Sequence, residues 1–174
     1  MENKQTAILG GGCFWCVEAV YESVEGVTAV VSGYTGGGIP NPSYGQVSAG
    51  TTGHAEAVRI EYDPEVISYG EILSIFWRSH DPTTEDRQGA DFGSQYRSAI
   101  YYITDEQREI AERSLVDTQT DFDEKIVTEI ARLGEFYVAE DYHQDYFRLN
   151  PAAGYCQIVI APKLQKLGLI DQTY

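Results

Sequence analysis

Residues 5–22 read QTAILGGGCFWCVEAVYE. The first five residues form a short apolar run that fits a buried strand. Three glycines follow, Gly10 to Gly12. Phe14, Val17, Val20, Tyr21 and Val24 then recur at three- and four-residue spacing, the period of a helix with one buried face. A strand, a flexible turn and a helix thus follow one another, and a thiol, Cys13, stands at the junction. Gly26 is placed to end the helix.

Working outward, VTAVVSGY (27–34) reads as a strand and TGGGIPNPSYGQ (35–46) as a Gly/Pro-rich loop. HAEAVRIEYDP (54–64) alternates like a strand and stops at Pro64. SYGEILSIFWRSH (68–80) opens with the capping pair Ser68 and Glu71, and Ile72, Leu73, Ile75 and Phe76 form its apolar stripe. A polar loop (81–95) leads to the strand YRSAIYYI (96–103). A helix over 104–119, capped by Thr104 with Gln107, precedes a strand at 125–131. EDYHQDYFRL (140–149) reads as a short helix, and the chain from Pro151 as mostly irregular. Some neighbouring strands have no helix between them. That pattern predicts an α+β sandwich with a mixed sheet. The 174 residues suit one domain, 1–174, with a tail over 150–174. The loops at 35–53 and 80–95 are longer than connections require, which marks them as candidate functional segments.

Composition narrows the function. The chain is 43% apolar and 22% charged, ordinary for a globular protein, and its formal net charge is −15. Such a surface repels phosphate backbones and anionic lipids, so neither nucleic acid nor membrane is an expected partner. The N-terminus lacks the basic flank and apolar core of a signal peptide. With only three cysteines, Cys13, Cys16 and Cys156, a disulfide-stapled secreted fold is not expected; a reducing, cytoplasmic setting is.

Several residues carry chemistry. Cys13, at a helix N-terminus after a Gly-rich turn, sits where orphan amides and the helix dipole favour thiolate. Cys16 completes a C-x-x-C, which reads as a redox dithiol, half a zinc site or coincidence; only Cys156 and a histidine remain to complete a zinc set. Phe14 and Trp15 are adjacent and point in different directions, so both cannot join one core stripe. An aromatic wall beside a thiol suits a small apolar or sulfur-bearing group. Glu56 shares a strand face with Val58, Ile60 and Tyr62, where desolvation would raise its pKa and make it a proton donor. Asp91, Tyr96 and Tyr44 lie in or beside the long loops, and tyrosine can hold an oxygen by a neutral hydrogen bond. His54, His80 and His143 read as structural. Two other functions stay open on these residues: a thioredoxin-like oxidoreductase using Cys13 and Cys16, and a small zinc-binding module.

The stretches GGCFWCVEAVYE, GYTGG, NPSYGQV, GHAEAVRIEYDP, HDPTTEDRQGADFGSQYRSAIYY, AEDYHQDYFRLNP and GYCQIVIAPKL, in order over nearly the whole chain, resemble the A-type peptide methionine sulfoxide reductases. The resemblance implies a two-layer α/β sandwich with a mixed sheet, a ferredoxin-like core and an irregular C-terminal tail. It implies reduction of methionine-S-sulfoxide, free or in oxidised proteins, without a cofactor or metal, with thioredoxin or a similar dithiol as reductant. On this resemblance Cys13 attacks the sulfoxide sulfur, and the glycines leave room for substrate beside it. Phe14 and Trp15 hold the substrate methyl, with Tyr146 as a further wall. Glu56 protonates the oxygen, Tyr44 and Tyr96 hydrogen-bond it, and Asp91 organises the site. Cys156 resolves the Cys13 sulfenic acid from a tail that swings. Many members have Gly after GCFW where this chain has Cys16, a possible alternative resolving thiol.

Overall fold

The computed structural model describes residues 3–171. In chain order the elements are β1 (Gln5–Gly11), α1 (Phe14–Glu22), β2 (Val27–Thr35), α2 (Tyr44–Ser48), β3 (Ala55–Tyr62), α3 (Tyr69–Ser79), β4 (Arg87–Gln88), β5 (Asp91–Phe92), β6 (Ser98–Tyr102), α4 (Asp105–Gln119), β7 (Glu129–Arg132), β8 (Tyr137–Val138), α5 (Tyr146–Leu149) and α6 (Ala161–Lys166). The main sheet has the order β7-β6-β1-β3-β2-β8. Its inner four strands form the βαββαβ ferredoxin-like core, all antiparallel, with β1 and β3 central. The β6–β7 pair is parallel, joined through α4, and makes the sheet mixed. Among the described residues no helix is long and apolar enough to cross a membrane.

One face of the sheet carries the main core. Leu9, Val58, Ile60, Tyr62 and Ile100 meet Phe14, Val17, Val20 and Tyr21 of α1 and Ile72, Leu73 and Phe76 of α3. The other face is thinner: Ile8, Ala57, Ala99 and Tyr101 pack under Leu133 and Phe136, which follow β7. The strand parity holds at β3, where Glu56, Val58, Ile60 and Tyr62 are all buried.

The caps also match their sequence. At α3 the Ser68 hydroxyl accepts from Glu71 N–H at 3.1 Å, and Glu71 returns the bond to Ser68 N–H at 2.8 Å. Thr104 caps α4 in the same way, but the Gln107 side chain turns instead to the Ile103 N–H and the Thr6 carbonyl. α1 ends at Glu22, four residues before Gly26, which supplies a positive φ of 93° in the turn to β2.

The C-terminal segment corrects the expected irregular tail. Cys156–Ile160 form a π-helical turn running directly into α6. Cys156, Ile160 and Leu164 lie on its inner side and are buried against the core. That spacing of apolar side chains holds a helix by tertiary packing, a contribution that a count of Gly and Pro upstream does not register. Residues 172–174 lie outside the described residues.

Candidate active site

The site grows from the β1–α1 junction. Gly12 has φ +95°, and a Cβ there would meet the Gln88 side chain at 2.6 Å. A Cβ at Gly10 would come within 3.0 Å of the Glu56 carbonyl oxygen. The glycines therefore let β1 close against β3 and the β4 strand; the space they free is filled by protein, where the resemblance implied room for substrate. Cys13 then caps α1 in an extended conformation, with φ −57° and ψ 126°, and remains partly exposed.

Glu56 reaches this corner from β3. It is 2% exposed, and one carboxyl oxygen accepts the Phe14 N–H at 3.2 Å. Burial raises its pKa to about 8; the Phe14 amide opposes and the Asp91 charge adds to the rise. At neutral pH it is a carboxylic acid beside an attacking-group candidate. Tyr96 lies within electrostatic reach of Glu56, Tyr44, Asp91 and Cys13, and burial followed by the Glu56 charge pushes its phenol well above the ordinary range. The candidate acid, two phenols and thiol thus converge from four segments far apart in sequence.

The thiols depart from the expectation that the helix end favours thiolate at Cys13. Cys13 is the cap residue and donates to Cys16, inside the first turn. That hydrogen bond, then burial, then the Glu56 charge hold the Cys13 thiol well above its ordinary value. The same bond is the main cause drawing Cys16 down to about 7 against burial, with Lys163 assisting. The C-x-x-C is therefore a proton-sharing pair at a helix end. Cys13 lies outside the helix proper, so its backbone is not fixed in helical i, i+3 geometry to Cys16. Cys156 is fully buried; burial and the Cys16 charge raise its pKa.

The aromatic residues form one cluster. Phe14, 1% exposed, packs on Tyr34 and His143 at centroid distances of 5.7 and 5.0 Å. The half-buried Trp15 stacks on Tyr146 at 3.7 Å with a 6° interplanar angle. Trp15 Nε1–H donates to His143 Nδ1 at 3.1 Å, which places the histidine proton on Nε2, a buried nitrogen without a hydrogen-bond partner among the described residues. Tyr44 approaches the same imidazole at 4.5 Å, and its N–H donates to Glu140, which also accepts from the Tyr34 hydroxyl.

Two of these neighbours escaped the sequence reading. His143 read as structural, yet it touches Phe14, Trp15 and Tyr44; its spacing of three from Tyr146 was the available signal. Tyr155, next to Cys156, donates to Asp91 Oδ2 at 3.0 Å and accepts the protonated Cys16 thiol at 3.6 Å. The tyrosine-rich composition hid it. His80 and His54 are structural: His80 is buried between the Phe76 carbonyl and the Ser98 hydroxyl, and His54 between Gly37 N–H and the Ile39 carbonyl. Among the described residues no cluster of three or more His, Cys, Asp or Glu side chains is placed to hold a metal ion.

A thiol pair, a protonated buried acid and an aromatic wall suit the removal of oxygen from a methyl sulfoxide: a nucleophile for sulfur, an acid for oxygen and an apolar face for the methyl. Known proteins point the same way. The family model described as peptide methionine sulfoxide reductase matches residues 5–172. Peptide methionine sulfoxide reductase MsrA of Leptospira borgpetersenii is 58% identical over 162 residues, 93% of this chain and 92% of that protein. The crystal structure of Mxr1 from Saccharomyces cerevisiae in reduced form superposes with a TM-score of 0.83 at 34% identity, covering 88% of this chain and 89% of that one. A structure of Mxr1 in complex with Trx2 shares the fold, with a TM-score of 0.60 at 24% identity over 82% of this chain and 84% of that one. With the match running through nearly every element that builds the site, the chain belongs to the peptide methionine sulfoxide reductase family and is an enzyme that reduces methionine sulfoxide.

Proposed function

We propose that the enzyme reduces the S epimer of methionine sulfoxide, free and within oxidised proteins, with Cys13 as nucleophile and Glu56 as acid. The observation that carries this reading is the buried Glu56, its pKa raised by burial, held at the Cys13–Phe14 corner by the Phe14 amide. The substrate methyl rests against Phe14 and Trp15, with Tyr146 behind Trp15. The sulfoxide oxygen faces Glu56, Tyr44 and Tyr96, and Asp91 steadies Tyr155 beside the thiols. Glu56 delivers its proton to the oxygen, which makes the sulfur electrophilic, and the Cys13 sulfur attacks. In net terms the oxygen passes to Cys13: thiol and sulfoxide become sulfenic acid and thioether, so Cys13 is oxidised by two electrons and methionine leaves.

The sulfenic acid next condenses with a thiol, forming one S–S bond and releasing water. Sequence pointed to Cys156 in a swinging tail. Helical packing of that segment and the Cys13–Cys16 hydrogen bond support Cys16 as the first partner, and Cys156 as the second through thiol–disulfide exchange with Cys16. A dithiol of the thioredoxin class then restores the three thiols; the yeast relative's complex with Trx2 supports that class. A cytoplasmic, reducing setting completes the reading, supported by three free cysteines.

Turnover of the separated epimers with dithiothreitol tests this. Methyl, oxygen and substrate chain meet three different walls, so the S epimer is expected to turn over and the R epimer not; comparable rates on both would overturn the assignment.

A further inference from the structure

Glu18 is a fully buried carboxyl that the reaction does not use. Burying a carboxylate costs stability unless it is well partnered, and an apolar side chain at a helix–sheet contact carries no such cost. Glu18 has its partners. One oxygen accepts the Ser32 hydroxyl of β2 at 2.9 Å; the other accepts the Tyr146 N–H at 3.1 Å. Burial raises its pKa, and these donors, with the Asp145 amide, offset only part of the rise.

Its place on α1 gives that contact a purpose. Trp15, Glu18 and Glu22 follow at spacings of three and four, which puts them on one helical face. All three face the same short segment: the Trp15 ring stacks on Tyr146, Glu18 takes the Tyr146 amide, and the Glu22 carboxyl lies within electrostatic reach of the Asp145 side chain. Asp145 itself has φ +54°, a left-handed conformation that aspartate adopts more readily than most non-glycine residues. The backbone that aims the Tyr146 ring is thus pinned by the helix that carries the Trp15 ring.

We propose that Glu18 is a positioning residue: by fixing the Tyr146 backbone it sets the Trp15–Tyr146 stack and so the face offered to the substrate methyl. This rests on the reading of Trp15 and Tyr146 as substrate wall.

The test uses methionine sulfoxide turnover with dithiothreitol, together with tryptophan emission in a Trp77→Phe background, since Trp15 and Trp77 are the chain's two tryptophans. Glu18→Leu keeps volume and removes the acceptor; KM is expected to rise about tenfold, the scale of one lost charge-assisted hydrogen bond. Its kcat stays within about threefold on the same argument, because the acid and thiols are untouched, and Trp15 emission shifts. Glu18→Gln keeps an oxygen for the Tyr146 amide and an NH2 for the Ser32 hydroxyl, so it retains the parent KM and emission. If Glu18→Leu does not fold, Glu18→Asp reads the same quantity, since its shorter carboxylate falls short of the Tyr146 amide. A folded Leu or Asp variant with parent KM and parent emission overturns the proposal, as does a Gln variant as impaired as Leu. Trp15→Leu separates the two readings. An unchanged KM there removes the substrate wall itself, whereas a raised KM with silent Glu18 variants removes only the role of Glu18.

Discussion

Glu56 keeps its proton at neutral pH because burial removes the water that would solvate its carboxylate, and one amide contact is too little to compensate. A general acid works in its protonated form, so the sulfoxide step should slow as pH rises through about 8. Rapid-quench measurement of methionine released in the first turnover reads this directly. Glu56→Gln is expected to slow that step by a factor on the order of 10²–10⁴ and to flatten the limb near pH 8. A variant with the parent rate, or with the same limb, would assign the proton to another group. The burial of Glu56 was legible from strand parity alone, because a period-two pattern puts it on the face of Val58 and Ile60. The thiol that ionises first was not legible. Both cysteines sit at one helix end and perturb each other, so residue type and spacing alone do not separate them.

Elements were legible where local chemistry decides them. The Ser68–Glu71 cap, the apolar stripe of α3 and the alternation of β3 all fold as their sequences indicate. Ser68→Ala should therefore cost about 1 kcal/mol, read as a lowered denaturation midpoint with an unchanged denaturant slope. Elements set by tertiary contact were not legible. The segment 154–166 begins at a glycine, carries Pro162 and holds the β-branched run Ile158–Ile160, yet packing of Cys156, Ile160 and Leu164 makes it helical. The short β4–β5 hairpin and α2 inside the long loops were also missed, although α2 opens with a local signal, the Ser43–Gln46 capping box. The helical segment alters the relay expected of the thiols. Cys156→Ser should release one methionine per chain and yield a mapped Cys13–Cys16 bond. Cys16→Ser should leave the Cys13 sulfenic acid long-lived, because Cys156 is held in its helix. Rapid appearance of a Cys13–Cys156 bond in Cys16→Ser would show instead that the helix opens readily and that Cys156 resolves directly.

Across the whole molecule, the groups that shape the site also set how stability responds to pH. Glu56 and Glu22 both bind protons more tightly folded than unfolded, each raised to about 8. Such groups stabilise fully below their unfolded pKa and lose that contribution as pH climbs through the folded value. His80 acts oppositely: burial lowers it to about 4, so its contribution is lost as pH falls from the ordinary histidine range toward 4. The opposing effects meet on the acid side; between roughly pH 6.5 and 8 the two carboxyls act against Cys16, whose value lowered to about 7 adds stability as pH rises. Stability should therefore decline across that window, where two carboxyls outweigh one thiol, with Glu56 alone contributing on the order of 1 kcal/mol per pH unit. Thermal melts should show the decline, and Glu56→Gln should make it shallower; a melting temperature that rises across the window would contradict the protonated site. The same architecture brings Cys13 from the β1–α1 junction, Glu56 from β3 and Tyr96 from the turn before β6 to one place, and the account stands on oxygen passing to Cys13 there. The most direct measurement is one turnover of methionine-S-sulfoxide by the Cys16→Ser/Cys156→Ser double variant, with a sulfenic-acid-selective carbon nucleophile present and the labelled peptide identified by mass. The account predicts one methionine released per chain and one label, on Cys13. Methionine released without a label on Cys13, or no methionine from a folded variant, would contradict it.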